Sequence, residues 1–126
     1  MSTLSELERK ALLAILSPHL ESGRLEELLS NIVVRERTFS VDVANEANCV
    51  GFYTSFEPYD LGSAVEYQST QLSAQMAHPK LSIGADFILF VKADRTVDFL
   101  EATFYGETLS IESVKSAEHQ FSIATA

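Results

Sequence analysis

Residues 85–107 read ADFILFVKADRTVDFLEATFYGE, and this stretch decides the fold. Residues 87–91 form an unbroken apolar run, which is typical of a central strand covered on both faces. Asp94 and Arg95 provide polar turn residues, and the returning segment then alternates between two faces. One face carries Val97, Phe99, Glu101 and Thr103, and the other carries Asp98, Leu100, Ala102 and Phe104. The stretch therefore predicts a β-hairpin.

The same period of two extends through most of the chain after residue 37. Residues 49–56, CVGFYTSF, place Val50, Phe52, Thr54 and Phe56 on one face and Cys49 on the other. Residues 64–77 fit both a strand and a helix, and we favour the strand. The last 18 residues resemble another hairpin, which turns near Ser116 and Ala117. We expect five or six antiparallel strands between about residues 37 and 125.

The beginning of the chain has the period of a helix. Thr3 with Glu6 and Ser5 with Glu8 have capping-box spacing, so a helix should begin at about residues 3–5. Its apolar stripe leaves Glu8 largely on the solvent side, and the helix should end near Ser17, before a proline. A second helix follows Gly23, with apolar residues at Leu25, Leu28, Leu29, Ile32 and Val33.

Helices at about residues 3–34 followed by a run of strands indicate the α+β class. We expect the helix pair to pack on one face of the antiparallel sheet. A chain of 126 residues with 46% hydrophobic residues is long enough for one core, so we predict a single domain over residues 1–126.

The charge balance limits the possible partners. The chain has 9 basic and 18 acidic residues, and its net charge is −9. Nucleic acid and anionic membrane need clustered lysine and arginine, so a basic or neutral protein is the expected partner. The longest apolar stretch near the start covers only residues 11–16, which predicts neither a signal peptide nor a membrane span. With one cysteine and no disulfide pairing, a reducing cytoplasm is the expected location.

Candidate reactive groups are few. Cys49 would need His78 or His119 as a base, and a buried structural thiol is the simpler interpretation. His19, His78, His119 and Glu101 lack the spacings of a metal site. We therefore assign no catalytic residue, metal or cofactor.

Acidic and tyrosine side chains are the better candidates for binding. Glu101 shares a predicted face with Val97 and Phe99, so we expect it to be partly buried and paired with Arg35 or Arg37. Paired carboxylates would suit glycosidase chemistry, although a solvated edge with one structural ion pair is the simpler interpretation. The candidate partner-binding residues are Asp94, Asp98, Glu101, Glu107, Glu57 and Asp60, with Tyr53 and Tyr105 as aromatic anchors.

Three segments carry a resemblance to a known family. They are RERTF at 35–39, VGFYTSF at 50–56, and DFILFVK at 86–92 with FLEATFYGE at 99–107. Together they resemble small uncharacterised bacterial proteins with a vGFfTxF, gFiLFv and LEgytyge pattern, over roughly residues 25–107. The turn glycine of that pattern is Arg95 here, and the closing Trp-Pro after Glu107 is missing. The resemblance implies an α+β fold and a bacterial cytoplasmic origin, and it brings no assigned activity.

Three functions fit these observations. The first is non-catalytic binding of a basic protein, as by an immunity protein that neutralises a toxin. The second is a small-molecule-binding domain or hydrolase-like enzyme that uses Glu101, with Arg35 or Arg37 as an anion clamp in an apolar pocket between helices and sheet. The third is a structural homodimer that pairs through the last strand, HQFSIAT at 119–125.

Overall fold

The computed structural model describes residues 3–62 and 71–123. The elements in chain order are α1 (Glu6–Leu16), α2 (Ser22–Asn31), β1 (Val34–Asp42), β2 (Asn45–Phe56), β3 (Gln71–Ala77), β4 (Ala85–Val91), β5 (Val97–Thr103), β6 (Leu109–Ser110), α3 (Ile111–Lys115) and β7 (Ser122–Ile123). The predicted α+β class, with two N-terminal helices against an antiparallel sheet, is confirmed.

The sheet has the strand order β1-β2-β5-β4-β3-β7, and β6 pairs with β2 off this path. The predicted β4–β5 hairpin lies in the middle of the sheet, with Leu89 opposite Leu100. All the pairings are antiparallel. Two of the seven strands in the described residues have only two residues each, which explains why alternation predicts five or six.

The helices cover one face of the sheet. α1 contacts β3 and β4, and α3 contacts β2. On this side Phe87, Leu89 and Leu100 are fully buried with Leu12 and Ile15 of α1 in one hydrophobic core. We call this side the helix face and the opposite side the open face.

The start of α1 follows its predicted capping chemistry. The Ser5 hydroxyl accepts a hydrogen bond from the amide of Glu8, and a Glu8 carboxylate oxygen accepts one from the amide of Ser5. This capping box confirms one of the two predicted spacings and places the first helical residue at Glu6. α2 includes Gly23, and β1 begins at Val34, so the strands start slightly earlier than expected.

Two register shifts change predicted side-chain positions. Ser40 pairs with Gly51 and Val41 pairs with Cys49, so β2 has an extra residue at Val50. This bulge leaves Cys49 buried in the core instead of on the face opposite Phe52.

A second shift lies between Phe90 and Val91, where Val91 pairs with Val97. Simple alternation predicts that Val97 shares a face with Phe99 and Glu101. Because of this shift, Val97 is instead buried with the core.

The predicted C-terminal hairpin is wrong. Residues 111–115 form the short helix α3, in which the Ser110 hydroxyl accepts a hydrogen bond from the amide of Ser113. The chain returns only as β7, where Ile123 pairs with Met76. The strand predicted within residues 64–77 is confirmed as β3 from Gln71, and the rest of that segment lies outside the described residues.

Candidate functional site

The open face of the sheet carries an aromatic row. Tyr53 on β2, Phe99 on β5 and Phe90 on β4 are neighbours across three strands. The ring centroids of Phe90 and Phe99 are 4.4 Å apart and the rings are stacked. Tyr53 and Phe99 have centroids 6.0 Å apart. Because Phe90 and Phe99 are only partly buried, this row is apolar surface in contact with solvent.

The burial pattern of β4 shows why the sequence does not reveal this surface. Its residues alternate between buried and half-buried, with Ala85, Phe87, Leu89 and Val91 buried. Ile88 and Phe90 lie on the open face and are half-buried, so the strand is central in the sheet without being fully covered on both faces. An apolar run gives no sign of which face lacks a covering layer, so the sequence does not single out these two residues.

Glu101 lies in the middle of the open face. It pairs across the strands with Tyr53 on one side and Ile88 on the other. The Tyr53 hydroxyl donates a hydrogen bond to a Glu101 carboxylate oxygen at 3.1 Å. That hydrogen bond, together with the negative charge of Glu101, raises the pKa of Tyr53. The carboxylate is thus held beside the aromatic row.

Further acidic groups surround the row. Glu36 on β1 lines a shallow hollow of about 290 Å³ together with Tyr53 and Phe99. At the far end of the strands, the Tyr105 hydroxyl donates a hydrogen bond to Asp86. We define the open-face patch as Tyr53, Phe99, Phe90, Ile88, Glu101, Glu36 and Asp86. Its uncharged members are aromatic or aliphatic, and its charged members are all acidic.

The eight predicted binding residues lie in three places. Only Tyr53 and Glu101 belong to the patch. Tyr105 and Glu107 follow the end of β5, where Glu107 accepts hydrogen bonds from the amide and hydroxyl of Ser82 at 2.7 and 2.8 Å. The remaining four, Glu57, Asp60, Asp94 and Asp98, lie near the start of β5.

Three of the four acidic residues near the start of β5 have a local hydrogen-bond or ion-pair partner. Glu57 forms an ion pair of 3.0 Å with Arg35, and both side chains are about half exposed. Asp60 accepts a hydrogen bond from the amide of Gly62. Asp94 accepts hydrogen bonds from the amide and hydroxyl of Thr96, which lower the pKa of Asp94. The contacts of Asp60 and Asp94 stabilise turns, and the guanidinium of Arg35 places a positive charge beside Glu57, so this end of the sheet is not a uniformly acidic surface.

The predicted pairing of Glu101 with Arg35 or Arg37 is wrong. Arg35 pairs with Glu57, and Arg37 pairs with Glu8 on the helix face. Arg37 and Glu101 lie on opposite faces, because Arg37 pairs with Thr54 whereas Glu101 pairs with the adjacent Tyr53. The enzymatic hypothesis requires Glu101 and Arg37 to converge in one pocket, and they do not.

Glu8 is a buried charged residue that the sequence does not reveal. It is 2% exposed, although the helical stripe places it towards solvent. Its Oε2 accepts hydrogen bonds from Arg37 Nε and the Thr54 hydroxyl, both at 2.7 Å. Its Oε1 accepts from Arg37 Nη2 at 2.8 Å and from the Ser5 amide at 2.7 Å. The capping-box spacing is its only signal in the sequence, since the partner Arg37 is distant in the chain.

The pKa of Glu8 results from opposing effects. Burial raises the pKa, and it is the largest single influence. The hydrogen bonds from Arg37, Ser5 and Thr54, with the charge of Arg37, together outweigh burial and lower the pKa below its usual value. The carboxylate is therefore ionised, and all its accepting positions are occupied.

Cys49, His78 and His119 are buried among structural contacts, whereas His19 is exposed. Burial raises the pKa of the Cys49 thiol, which makes it a poor nucleophile. His78 Nδ1 accepts a hydrogen bond from the Lys80 amide, and His119 Nδ1 accepts one from the Phe121 amide. Within residues 3–62 and 71–123, no group of three or more histidine, cysteine, aspartate or glutamate side chains is arranged to hold a metal ion.

Comparison with known proteins gives no relative from which the role of the site could be inferred. None of the described helices is long and apolar enough to cross a bilayer. No protein-family model matches the chain, and neither the curated proteins nor the solved structures include a significant match.

Proposed function

We propose that this chain is a non-catalytic binding protein that captures a protein with a basic surface, as an immunity protein captures the toxin it neutralises. The observation that carries the proposal is the open-face patch, an aromatic row bordered by Glu36, Glu101 and Asp86. We place the protein in a reducing bacterial cytoplasm, in keeping with its free, buried cysteine.

The apolar part of the patch supports binding to a macromolecule. One face of an antiparallel sheet commonly stays in solvent, where polar side chains are expected. Here Tyr53, Phe90, Phe99 and Ile88 occupy that face. Contiguous apolar surface with a polar border is characteristic of interfaces, and tyrosine is enriched among the residues that contribute most to binding energy.

The charge of the patch supports a basic partner. The charged residues of the open-face patch are all carboxylates, and the whole chain has a net charge of −9. A basic surface such as that of a nuclease would be attracted at long range and then oriented by these carboxylates. Glu101 is held in position by Tyr53, so it loses little side-chain freedom on binding.

The test compares two double variants with equal charge changes. Glu36→Lys with Glu101→Lys reverses charge on the open face, whereas Glu26→Lys with Glu112→Lys does so on exposed residues of α2 and α3. Immobilised protein is incubated with lysate of its source cells, and the affinity of each retained basic protein is then measured after purification.

We expect the open-face variant to weaken binding by at least about tenfold, whereas the helix variant should change it only a few-fold through net charge. Equal losses in both variants would attribute binding to overall charge and contradict the proposed surface. The absence of any retained basic protein would contradict the function itself.

Self-association through the sheet edge is the second candidate. β7 is the last strand in the sheet order, and its Ile123 is 47% exposed. An edge strand with exposed apolar residues can pair with a second copy of the chain. Sedimentation over a range of concentrations would detect a dimer, which Ile123→Lys should dissociate if β7 forms the contact.

A further inference from the structure

A cavity on the helix face has the features of a small-molecule site, independent of the function proposed above. It lies between the start of α1, the end of α3, the edge strand β1 and its neighbour β2, and its volume is about 280 Å³. Apolar cavities of about 150 Å³ accommodate benzene, so this one is large enough for a small organic ligand. Its lining residues are Thr3, Leu4, Ser5, Glu8, Arg37, Phe39, Phe52, Val114 and Lys115.

The apolar part of the cavity consists of Leu4, Phe39, Phe52 and Val114. Phe39 and Phe52 pair across β1 and β2, and their ring centroids are 5.9 Å apart. Leu4 and Phe39 are only partly buried, although both pack against the core. Part of their apolar surface is therefore available to a ligand. Contact with it would remove apolar surface of the ligand from water, which favours binding.

The polar groups of the cavity favour an anion. Glu8 has all its accepting positions filled by Ser5, Arg37 and Thr54, so its carboxylate is not free to accept from a ligand. Arg37 uses Nε and Nη2 for Glu8 and the Thr3 carbonyl. In the described part of the chain, Arg37 Nη1 and Lys115 Nζ make no hydrogen bond, and both are donors.

The local charge sets the valence of that anion. Glu8 neutralises Arg37, and Lys115 leaves one positive charge at the cavity. The protein as a whole carries a net charge of −9, which disfavours approach by a multiply charged anion such as a nucleotide. A single carboxylate matches the one positive charge and suits the planar donors of an arginine.

We propose that this cavity binds a small hydrophobic monocarboxylate, with its carboxylate at Arg37 and Lys115 and its apolar body against Leu4, Phe39 and Phe52.

Octanoate, octan-1-ol and octylamine test the proposal, because they share a chain length and differ in charge. Each is titrated into the full chain while backbone amide resonances are recorded by NMR. We expect octanoate to shift the amides of Phe39, Phe52 and Val114 in a saturable manner. Octan-1-ol should bind more weakly by about tenfold or more, since it lacks the charge-assisted contacts, and octylamine should not bind.

Two variants and one control locate the ligand. Lys115→Met keeps the apolar stem and removes the charge, and it should weaken octanoate binding by about tenfold. Lys92→Met, in the β4–β5 turn, is the matched control and should bind like the wild type. Leu4→Asp puts a carboxylate in the wall of the cavity, just before α1. It should abolish binding while the NMR spectrum remains that of a folded protein.

Three results would overturn the proposal. They are the absence of saturable octanoate shifts, equal binding of all three probes, and unchanged affinity in Lys115→Met. Shifts confined to Tyr53, Phe90 and Phe99 would place the ligand on the open face and would equally contradict it.

Discussion

The guanidinium of Arg37 and the carboxylate of Glu8 form a two-bond ion pair that joins the edge strand β1 to the first turn of α1. Nε and Nη2 of Arg37 each donate to a different carboxylate oxygen, at 2.7 and 2.8 Å. Thr54 of β2 donates to the same carboxylate. One side chain thus connects the capped start of the helix with two neighbouring strands. This pair also forms the polar side of the helix-face cavity.

Removing the charge of Glu8 should destabilise the protein strongly. Glu8→Gln keeps the shape of the side chain but leaves Arg37 without its counter-ion and weakens the capping box. We expect a loss of about 2–4 kcal/mol in the free energy of unfolding, measured by urea denaturation. Glu57→Gln is the matched control, since the Arg35–Glu57 pair is half exposed and should contribute little. Similar losses in both variants would mean that burial does not make the Glu8–Arg37 pair more important for stability than the half-exposed pair.

The two buried histidines should make the protein less stable in mild acid. Burial lowers the pKa of His78 and of His119 below the usual value of 6.5. The unfolded chain therefore binds protons at a higher pH than the folded chain does, and stability rises with pH in this range. We expect the free energy of unfolding to fall as the pH decreases below about 6.5.

A double variant tests the origin of this pH dependence. His78→Gln with His119→Gln removes both titrating rings, so urea midpoints at neutral and mildly acidic pH should lie closer together than in the wild type. A pH dependence that is unchanged in the variant would attribute it to other groups. The lowered pKa of Glu8 acts in the same direction but only at more acidic pH, below its usual value of 4.5.

Two glycines should respond in opposite ways to alanine. A Cβ atom at Gly51 would collide with the carbonyl oxygen of Ala102 on the neighbouring strand, whereas at Gly23 in α2 no heavy atom beyond the chain neighbours and the backbone of the helix itself lies within 4 Å. Gly51→Ala should therefore cost about 1–3 kcal/mol in the free energy of unfolding. Gly23→Ala should add about 0.5–1 kcal/mol, because alanine restricts the unfolded chain and favours a helix. Thermal denaturation of both variants checks the signs, and a stabilised Gly51→Ala would contradict the close approach of β2 and β5.

Local periodicity predicts the parts of this fold that are long and regular. The β4–β5 hairpin and the Ser5–Glu8 capping box follow directly from spacing. α3 does not, because a helix of 5 residues is too short to display an apolar period. The bulge at Val50 depends on pairing with β1, which no local pattern records.

The candidate sites depend more heavily on strand order. Phe90 and Phe99 become neighbours of Tyr53 only because β5 lies between β2 and β4. Asp94 and Glu107 are close in sequence, yet the length of β5 separates them. Glu8 and Arg37 meet across 29 positions of the chain, so their pairing requires the packed fold.

The Tyr53–Glu101 hydrogen bond should be visible in the titration of a single tyrosine. This contact raises the pKa of Tyr53 above the usual value of 10.0 by stabilising the protonated hydroxyl and by placing a negative charge beside it. Glu101→Gln removes the charge and should return the pKa of Tyr53 towards its usual value, as followed by NMR of labelled tyrosine. Because the hydrogen bond is exposed, this variant should have nearly the stability of the wild type. Tyr105, which donates to Asp86 and also has a raised pKa, serves as the internal control and should not change. If Tyr53 titrates identically in both proteins, Glu101 is not held beside the aromatic row, and the surface proposed to bind a partner loses its central carboxylate.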